Sequence, residues 1–308
     1  MSRAAWLGVI GLWLLLTGVL AALYSQLPPC PDHAVYDYIG WVVNQGGTMY
    51  VDAADQNWPG QMLIHTLSVA MFGSELWSYR AFELLVIIPL SCLILFRFLR
   101  AADDLLGALL VVPIYQAMYV TSGFWMSGQR EIVAAPLLVA AAHCMLSRVR
   151  GDRLRAMVVQ GVLIAAATLI RPTLLIMAPL LTLADVLQMR QTGRSWKTVV
   201  ADHAVVGVSI ILPIALLALS AVPSGALAAW YDVSVRFNLE VYAGGLRPWE
   251  MIALVVPSLF WSWHWYFVWS GLGAFVLFRR DSLAFSFVGM LLPAALVSFF
   301  VQAKGFEY

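Results

Sequence analysis

Apolar runs long enough to cross a bilayer, each closed off by charged residues, constrain this chain more than any other feature. Residues 4–24 follow Arg3 and are almost wholly apolar. About 20 such residues span the roughly 30 Å hydrocarbon core. Comparable runs follow at 77–98, 105–120, 132–146, 154–170, 173–188, 199–220, 251–278 and 283–301, which makes nine predicted spans. The chain is 62% hydrophobic and only 11% charged over 308 residues, against about 25% charged in soluble domains. The expected fold is therefore all-α, a polytopic membrane helical bundle forming a single transmembrane domain over residues 1–308. A cleaved signal peptide has a shorter apolar centre and a small-residue cleavage site. Ser25-Gln26-Leu27-Pro28-Pro29 offers a poor one, so 4–24 reads as a retained first span.

Residues 61–72 are apolar too, but 12 residues make a helix of only about 18 Å. Such a helix is expected to lie on the membrane surface, with Gln61, His65 and Ser68 toward water. The charges agree with that topology. With a cytoplasmic N-terminus, the cytoplasmic side holds twelve of the eighteen Lys and Arg residues, among them Arg148, Arg153, Arg155, Arg194 and Lys197. Counting 61–72 as a span would turn those residues outward, against the positive-inside rule. The expected location is the cytoplasmic (inner) membrane.

The basic residues form short clusters at the ends of apolar runs and no continuous stripe, which argues against a nucleic-acid partner. Cys30, Cys92 and Cys144 lie far apart, so neither a disulfide framework nor a zinc knuckle is expected.

The candidate site lies in the first exterior loop, residues 25–60 within a longer 25–76 connection that carries the juxtamembrane helices. It contains Asp32, Asp37, Asp52 and Asp55 and no Lys or Arg. A connection this long inside a compact helical protein is uncommon unless it has a task of its own. A second exterior segment, 221–249, carries Trp230, Tyr231, Phe237, Tyr242 and Trp249, either an interfacial aromatic belt or a substrate-facing lid. Trp261, Trp263, Trp265 and Trp269 read as packing and belt residues.

Asp32-His33-Ala34-Val35-Tyr36, then Gly46-Gly47-Thr48-Met49-Tyr50-Val51-Asp52, Asp55-Gln56-Asn57-Trp58-Pro59-Gly60, Phe72-Gly73 and Tyr79-Arg80-Ala81-Phe82 follow one another along the chain. Their order resembles that in bacterial GT-C glycosyltransferases of the PMT-like and ArnT-like branch. No single motif is diagnostic; order and spacing carry the likeness, mostly over residues 30–85. There are departures. Asp32-His33 stands where an acidic pair is common, and Asn57-Trp58 replaces the usual Lys before paired prolines, with Gly60 in the place of the second. The end, Gln302 to Tyr308, resembles a motif that relatives follow with His and further spans, which implies either a truncated chain or a minimal member.

The resemblance implies transfer of a sugar, with inversion, from a polyprenyl-phosphate carrier to a glycan, lipid or protein acceptor at the exterior face. That chemistry needs a base for the acceptor hydroxyl and cations for the departing phosphate. Asp32 is the candidate base, placed by a Pro-Pro-Cys-Pro turn just beyond the first span; its alternative role is to cap a helix over 34–43. Asp37 reads as a solvated or hydrogen-bonded helix residue. Asp52 and Asp55 either hold their turns through Asx-type bonds or bind acceptor or metal. His33 and His65 with these carboxylates are the candidate ligands of a divalent metal, which the spacing does not specify.

Arg130 and Glu131, at the exterior mouth of a span, form either a helix-end ion pair or part of the substrate site. Arg171 stands where relatives have Lys-Pro-Thr, and either grips phosphate or snorkels to the interface. Lys304, in a Gln-x-Lys-Gly-Phe context, is the remaining phosphate candidate, and Arg80 is expected to fix the start of its span. The rival readings are a transporter or flippase of a lipid-linked or small polar substrate, and a catalytically silent carrier-lipid scaffold.

Overall fold

The computed structural model describes residues 3–101, 105–121, 128–150, 153–242 and 271–294, together with positions 123, 249, 250, 253 and 257. Among these residues the secondary structure is helical, with no strand and one isolated bridge, Met49 to Ala53. Among the described residues six helices are long and apolar enough to cross a membrane: Leu7–Ser25, Ser78–Arg100, Arg130–Arg148, Arg153–Ile170, Pro172–Met189 and Trp196–Ser220. Gly107–Thr121 and Ser282–Ala294 are shorter apolar helices. Most of the expected span 251–278, and the end of 283–301, lie outside the described residues. So do Trp261, Trp263, Trp265, Trp269 and the 302–308 motif.

The chain divides into two compact units, Met1–Ala53 with Gln61–Pro136, and Ala54–Gly60 with Leu137–Tyr308. In the first, α1 (Arg3–Ser25) packs on α6 (Leu105–Thr121): Trp13 donates to the Leu109 carbonyl at 3.1 Å, and Thr17 bonds the Gln116 amide. Tyr24, Ile88, Cys92, Val112 and Tyr119 form a common core. The span that begins at Ser78 is built from α4 (Ser78–Phe82), a π-helical turn at Glu83–Ile87 and α5 (Ile88–Ala101). Arg80 is buried at its start, donating to the Pro28 carbonyl at 2.6 Å and lying 4.2 Å over the Tyr24 ring, which is the anchoring role expected of it.

The 25–76 connection folds as α2 (Pro31–Asn44), the Thr48–Ala53 turn and α3 (Pro59–Phe72). α3 has 14 residues and is not among the helices of spanning length, as expected. Its orientation corrects the sequence reading. Gln61, His65 and Ser68 are fully buried, whereas Leu63, Leu67 and Met71 are exposed. A surface helix in water turns its polar side out; this one turns it inward, where Asp37 of α2 meets His65 and the Tyr79 hydroxyl and Gly128 carbonyl accept from Gln61. The backbone of Gly40 lies against His65 and Thr66 so closely that a Cβ there would sit 2.9 Å from the His65 carbonyl carbon. That approach lets Asn44 reach the Thr66 carbonyl (2.9 Å) and Asp37 reach His65 (2.7 Å). The outward apolar face is what a helix bordering hydrocarbon needs.

The second unit contains the rest of α7 (Arg130–Arg150), then α8 (Arg153–Ile170), α9 (Met177–Thr192), α10 (Trp196–Ser220), α11 (Ala226–Trp230) and α12 (Ser282–Gly289). The unit boundary within α7 falls at Pro136, which lacks the N–H that would continue the helical ladder. α8 and α10 run parallel, since Arg153 meets Asp202 and Gly161 meets Val206 and Ser209. The segment 173–188 read as one span opens on a 3-10 turn, Pro172–Ile176, before α9 begins.

Candidate functional site

Asp32 occupies the first turn of α2 and does not cap it. Pro31 pre-sets the helical backbone, which moves the N-cap back to Cys30. The carboxylate is thereby freed for a distant partner: Gln129 donates its side-chain amide to Asp32 Oδ2 at 3.2 Å, and lies 3.4 Å from the Cys30 thiol. Asp32 is half-buried and Gln129 fully so. Burial, with the Asp32 charge nearby, pushes the Cys30 thiol up from its ordinary value.

Gln129 is aimed by the turn before α7. Gly128 has φ 72°, a left-handed conformation, and a Cβ there would collide with Glu83, His33 and Tyr79. Its carbonyl accepts from the Tyr79 hydroxyl at 3.1 Å and from Gln61 at 3.4 Å. Behind that carbonyl, His65 stacks on Tyr79 with ring centroids 3.8 Å apart. Its Nδ1 faces Asp37 Oδ1 at 2.7 Å and its Nε2 faces Gln61 at 3.2 Å, an arrangement in which Nδ1 donates to the carboxylate and Nε2 accepts from the amide. His33 is buried beside them, 4.7 Å from Tyr79 between ring centroids, and among the described residues its Nε2 has no hydrogen-bond partner.

Both histidines are held below their ordinary pKa. For His33 the cause is first burial and then the charges of His65 and Arg80, opposed by the Gly128 carbonyl; for His65 it is burial, opposed by Asp37. Burial thus disfavours the charged imidazolium at both positions. Deeper in the same unit, Glu83 is fully buried, accepting from Tyr119 at 2.5 Å and from Arg80 at 3.3 Å.

The structure brings together some of the residues selected from sequence. Asp32 meets the Gly128-Gln129-Arg130-Glu131 run, and Arg130 and Glu131 are half-buried in the first turn of α7. Asp52 is exposed and closes its turn by accepting from the Thr48 N–H at 2.6 Å. Asp55 accepts from the Asn57 N–H at 2.9 Å, an Asx turn. Each holds its own loop. Asp55 and Arg171 belong to the second unit, and Arg171 is buried in extended backbone between α8 and the 3-10 turn. Lys304 lies outside the described residues. Among the described residues no group of three or more His, Cys, Asp or Glu side chains converges on a metal site.

Also in the second unit, the 54–60 piece docks on the 221–249 segment. Trp58 packs edge-on to buried Trp230 at 5.4 Å, Ser234 donates to the Asn57 carbonyl, and Asn238 to the Gln56 carbonyl, each at 2.9 Å. Trp230 is therefore a packing residue, while Tyr231 and Phe237 stay exposed. From sequence, Gln129 and Tyr79 stand in noted segments without a role of their own, and Glu83 goes unremarked. The signal was present for Glu83, a carboxylate inside an apolar run.

The fold and this polar centre define a class, the polytopic helical membrane proteins. No family model, curated protein or solved structure matches the chain.

Proposed function

We propose that this protein is an inverting membrane glycosyltransferase that moves a sugar from a polyprenyl-phosphate carrier to an acceptor at the exterior face of the cytoplasmic membrane. One observation carries the reading: Gln129 Nε2 holds Asp32 Oδ2 at 3.2 Å, joining the acidic loop to the mouth of the helix that begins with Arg130 and Glu131. In the proposed step Asp32 takes the acceptor hydroxyl proton as that oxygen bonds to the anomeric carbon. The carbon–oxygen bond to the carrier breaks, and polyprenyl phosphate leaves with the bonding pair. A leaving phosphate needs no protonation, so a single carboxylate suffices. Arg130, in the same unit as Asp32, is assigned to the phosphate, and no metal is assigned. The reading includes nine spans in one transmembrane domain with a cytoplasmic N-terminus.

One observation favours a second reading. Glu83 is a buried carboxylate at a π-helical turn inside a span, a placement common on ion and substrate pathways. A transporter of a lipid-linked or small polar substrate would use it. Incubating purified protein with a panel of polyprenyl-phosphate sugars, followed by mass spectrometry of released carrier and product, separates the two. Turnover with any donor supports transfer. Translocation in proteoliposomes without product from any donor supports transport.

A further inference from the structure

At one end of the second unit, charged groups from α7, α8, α9 and α10 and from the α9–α10 connection meet in a single network. Arg148 Nη2 donates to Asp185 Oδ2 at 2.8 Å, and Arg194 Nη1 donates to Asp185 Oδ1 at 2.5 Å. Arg153 Nη2 donates to Asp202 Oδ1 at 2.5 Å, and Arg194 also bonds Asp202 Oδ2. His203 stands between Asp185 (3.1 Å) and Thr182 (2.9 Å). The Arg148, Asp185 and Asp202 side chains are sealed from solvent, whereas that of Arg153 is 50% exposed.

Three guanidinium groups here share two carboxylates whose oxygens are all engaged. Among the described residues, buried Nε and Nη1 of Arg148 have no hydrogen-bond acceptor, Nε lying 3.8 Å from Asp202 Oδ2, which Arg194 already engages. The imbalance continues at the surface. α8 and α10 are parallel and both begin at this end, so the positive ends of two helix dipoles coincide there. Their first turns nevertheless carry Arg153, Arg155 and Lys197, all exposed, with no acidic residue in either. Cations at helix N-termini are electrostatically disfavoured, and excess positive charge beside a low-dielectric layer is costly without a counter-ion. Trp196, 57% exposed, and exposed Leu154 flank the same rim, and a Trp next to Lys and Arg at the end of a spanning helix marks headgroup depth.

We infer that this rim, formed by the first turns of α8 and α10 around Arg153, Arg155 and Lys197, is a binding site for the phosphate of anionic phospholipid headgroups. The buried network sets the rim's shape and supplies its surplus charge, while the exposed side chains meet the lipid. Trp196 and Leu154 fix its depth, which favours a membrane lipid over a soluble phosphate compound.

The test is native mass spectrometry of the purified full chain equilibrated with phosphatidylglycerol or with phosphatidylcholine. The intact protein retains phosphatidylglycerol in preference, and added salt weakens that retention. The variant Arg155→Gln with Lys197→Gln leaves the buried network untouched and is expected to lower the preference about 30-fold, at roughly 1 kcal/mol for each interfacial cation. Equal retention of the two lipids by the intact protein would overturn the assignment, as would an unchanged preference in the double variant. Displacement of the lipid by millimolar inorganic phosphate at constant ionic strength would overturn it too, and would point to a soluble phosphate ligand.

Discussion

The side-chain amide of Gln129 donates to the carboxylate of Asp32 at 3.2 Å although 97 positions separate them in sequence. The contact depends on Gly128, whose left-handed turn directs Gln129 toward α2 and whose carbonyl is held by Tyr79 and Gln61.

Gly128→Ala tests that turn. The left-handed backbone costs an alanine about 1–2 kcal/mol, and its methyl group would press on Glu83, His33 and Tyr79. Overpacking adds roughly 1–3 kcal/mol. Thermal unfolding in detergent, followed by circular dichroism, is expected to shift to distinctly lower temperature. An unchanged melt would mean that the turn is not so confined.

The two buried histidines predict an acid-side loss of stability. Their folded pKa values lie below the ordinary value, so the unfolded chain binds protons that the folded chain refuses once pH falls through about 6.5. Stability is therefore retained above that pH and lost below it, by up to about 1.4 kcal/mol per pH unit for each histidine. Unfolding midpoints measured from pH 7.5 to 5 are expected to decline, and His33→Gln to flatten the slope. A slope unaltered by that substitution would place the titration elsewhere.

The network around Asp185 predicts an asymmetry between single and paired substitutions. Asp185→Ala leaves the sealed Arg148 guanidinium without its closest carboxylate and is expected to cost about 3–5 kcal/mol. Arg148→Met with Asp185→Leu removes both charges and should recover part of that loss, since Arg194 and His203 also rely on Asp185. Chemical unfolding of the three proteins in one detergent measures it. A double variant less stable than Asp185→Ala would contradict the account.

Much of the helical layout was legible because hydrophobic run length is a local property. The run 4–24 became Arg3–Ser25, 154–170 became Arg153–Ile170, and 199–220 became Trp196–Ser220. Which way a polar face points was not legible. A lone amphipathic helix places Gln61, His65 and Ser68 toward water, and only tertiary pairing, of His65 with Asp37 and of Gln61 with Tyr79, explains the burial of the first two. For the same reason Arg148, Arg153 and Arg194 read as solvated topology markers. Asp185 and Asp202, single carboxylates inside apolar runs, were the overlooked sign that those arginines had partners within the bundle. Of the candidate site, Asp32 could be selected from sequence, but its helix-capping alternative could not be dismissed until Pro31 was seen to open α2.

The central claim is that Asp32 is a base held in place by Gln129. Asp32→Asn preserves size and can still bond Gln129 but cannot take a proton. With a competent polyprenyl-phosphate sugar and acceptor, the glycosyl transfer rate of purified Asp32→Asn is the most direct measurement. The account predicts a fall of about 10²–10⁴-fold, with membrane insertion and the thermal melt unchanged. Transfer at the rate of the unsubstituted protein would contradict it.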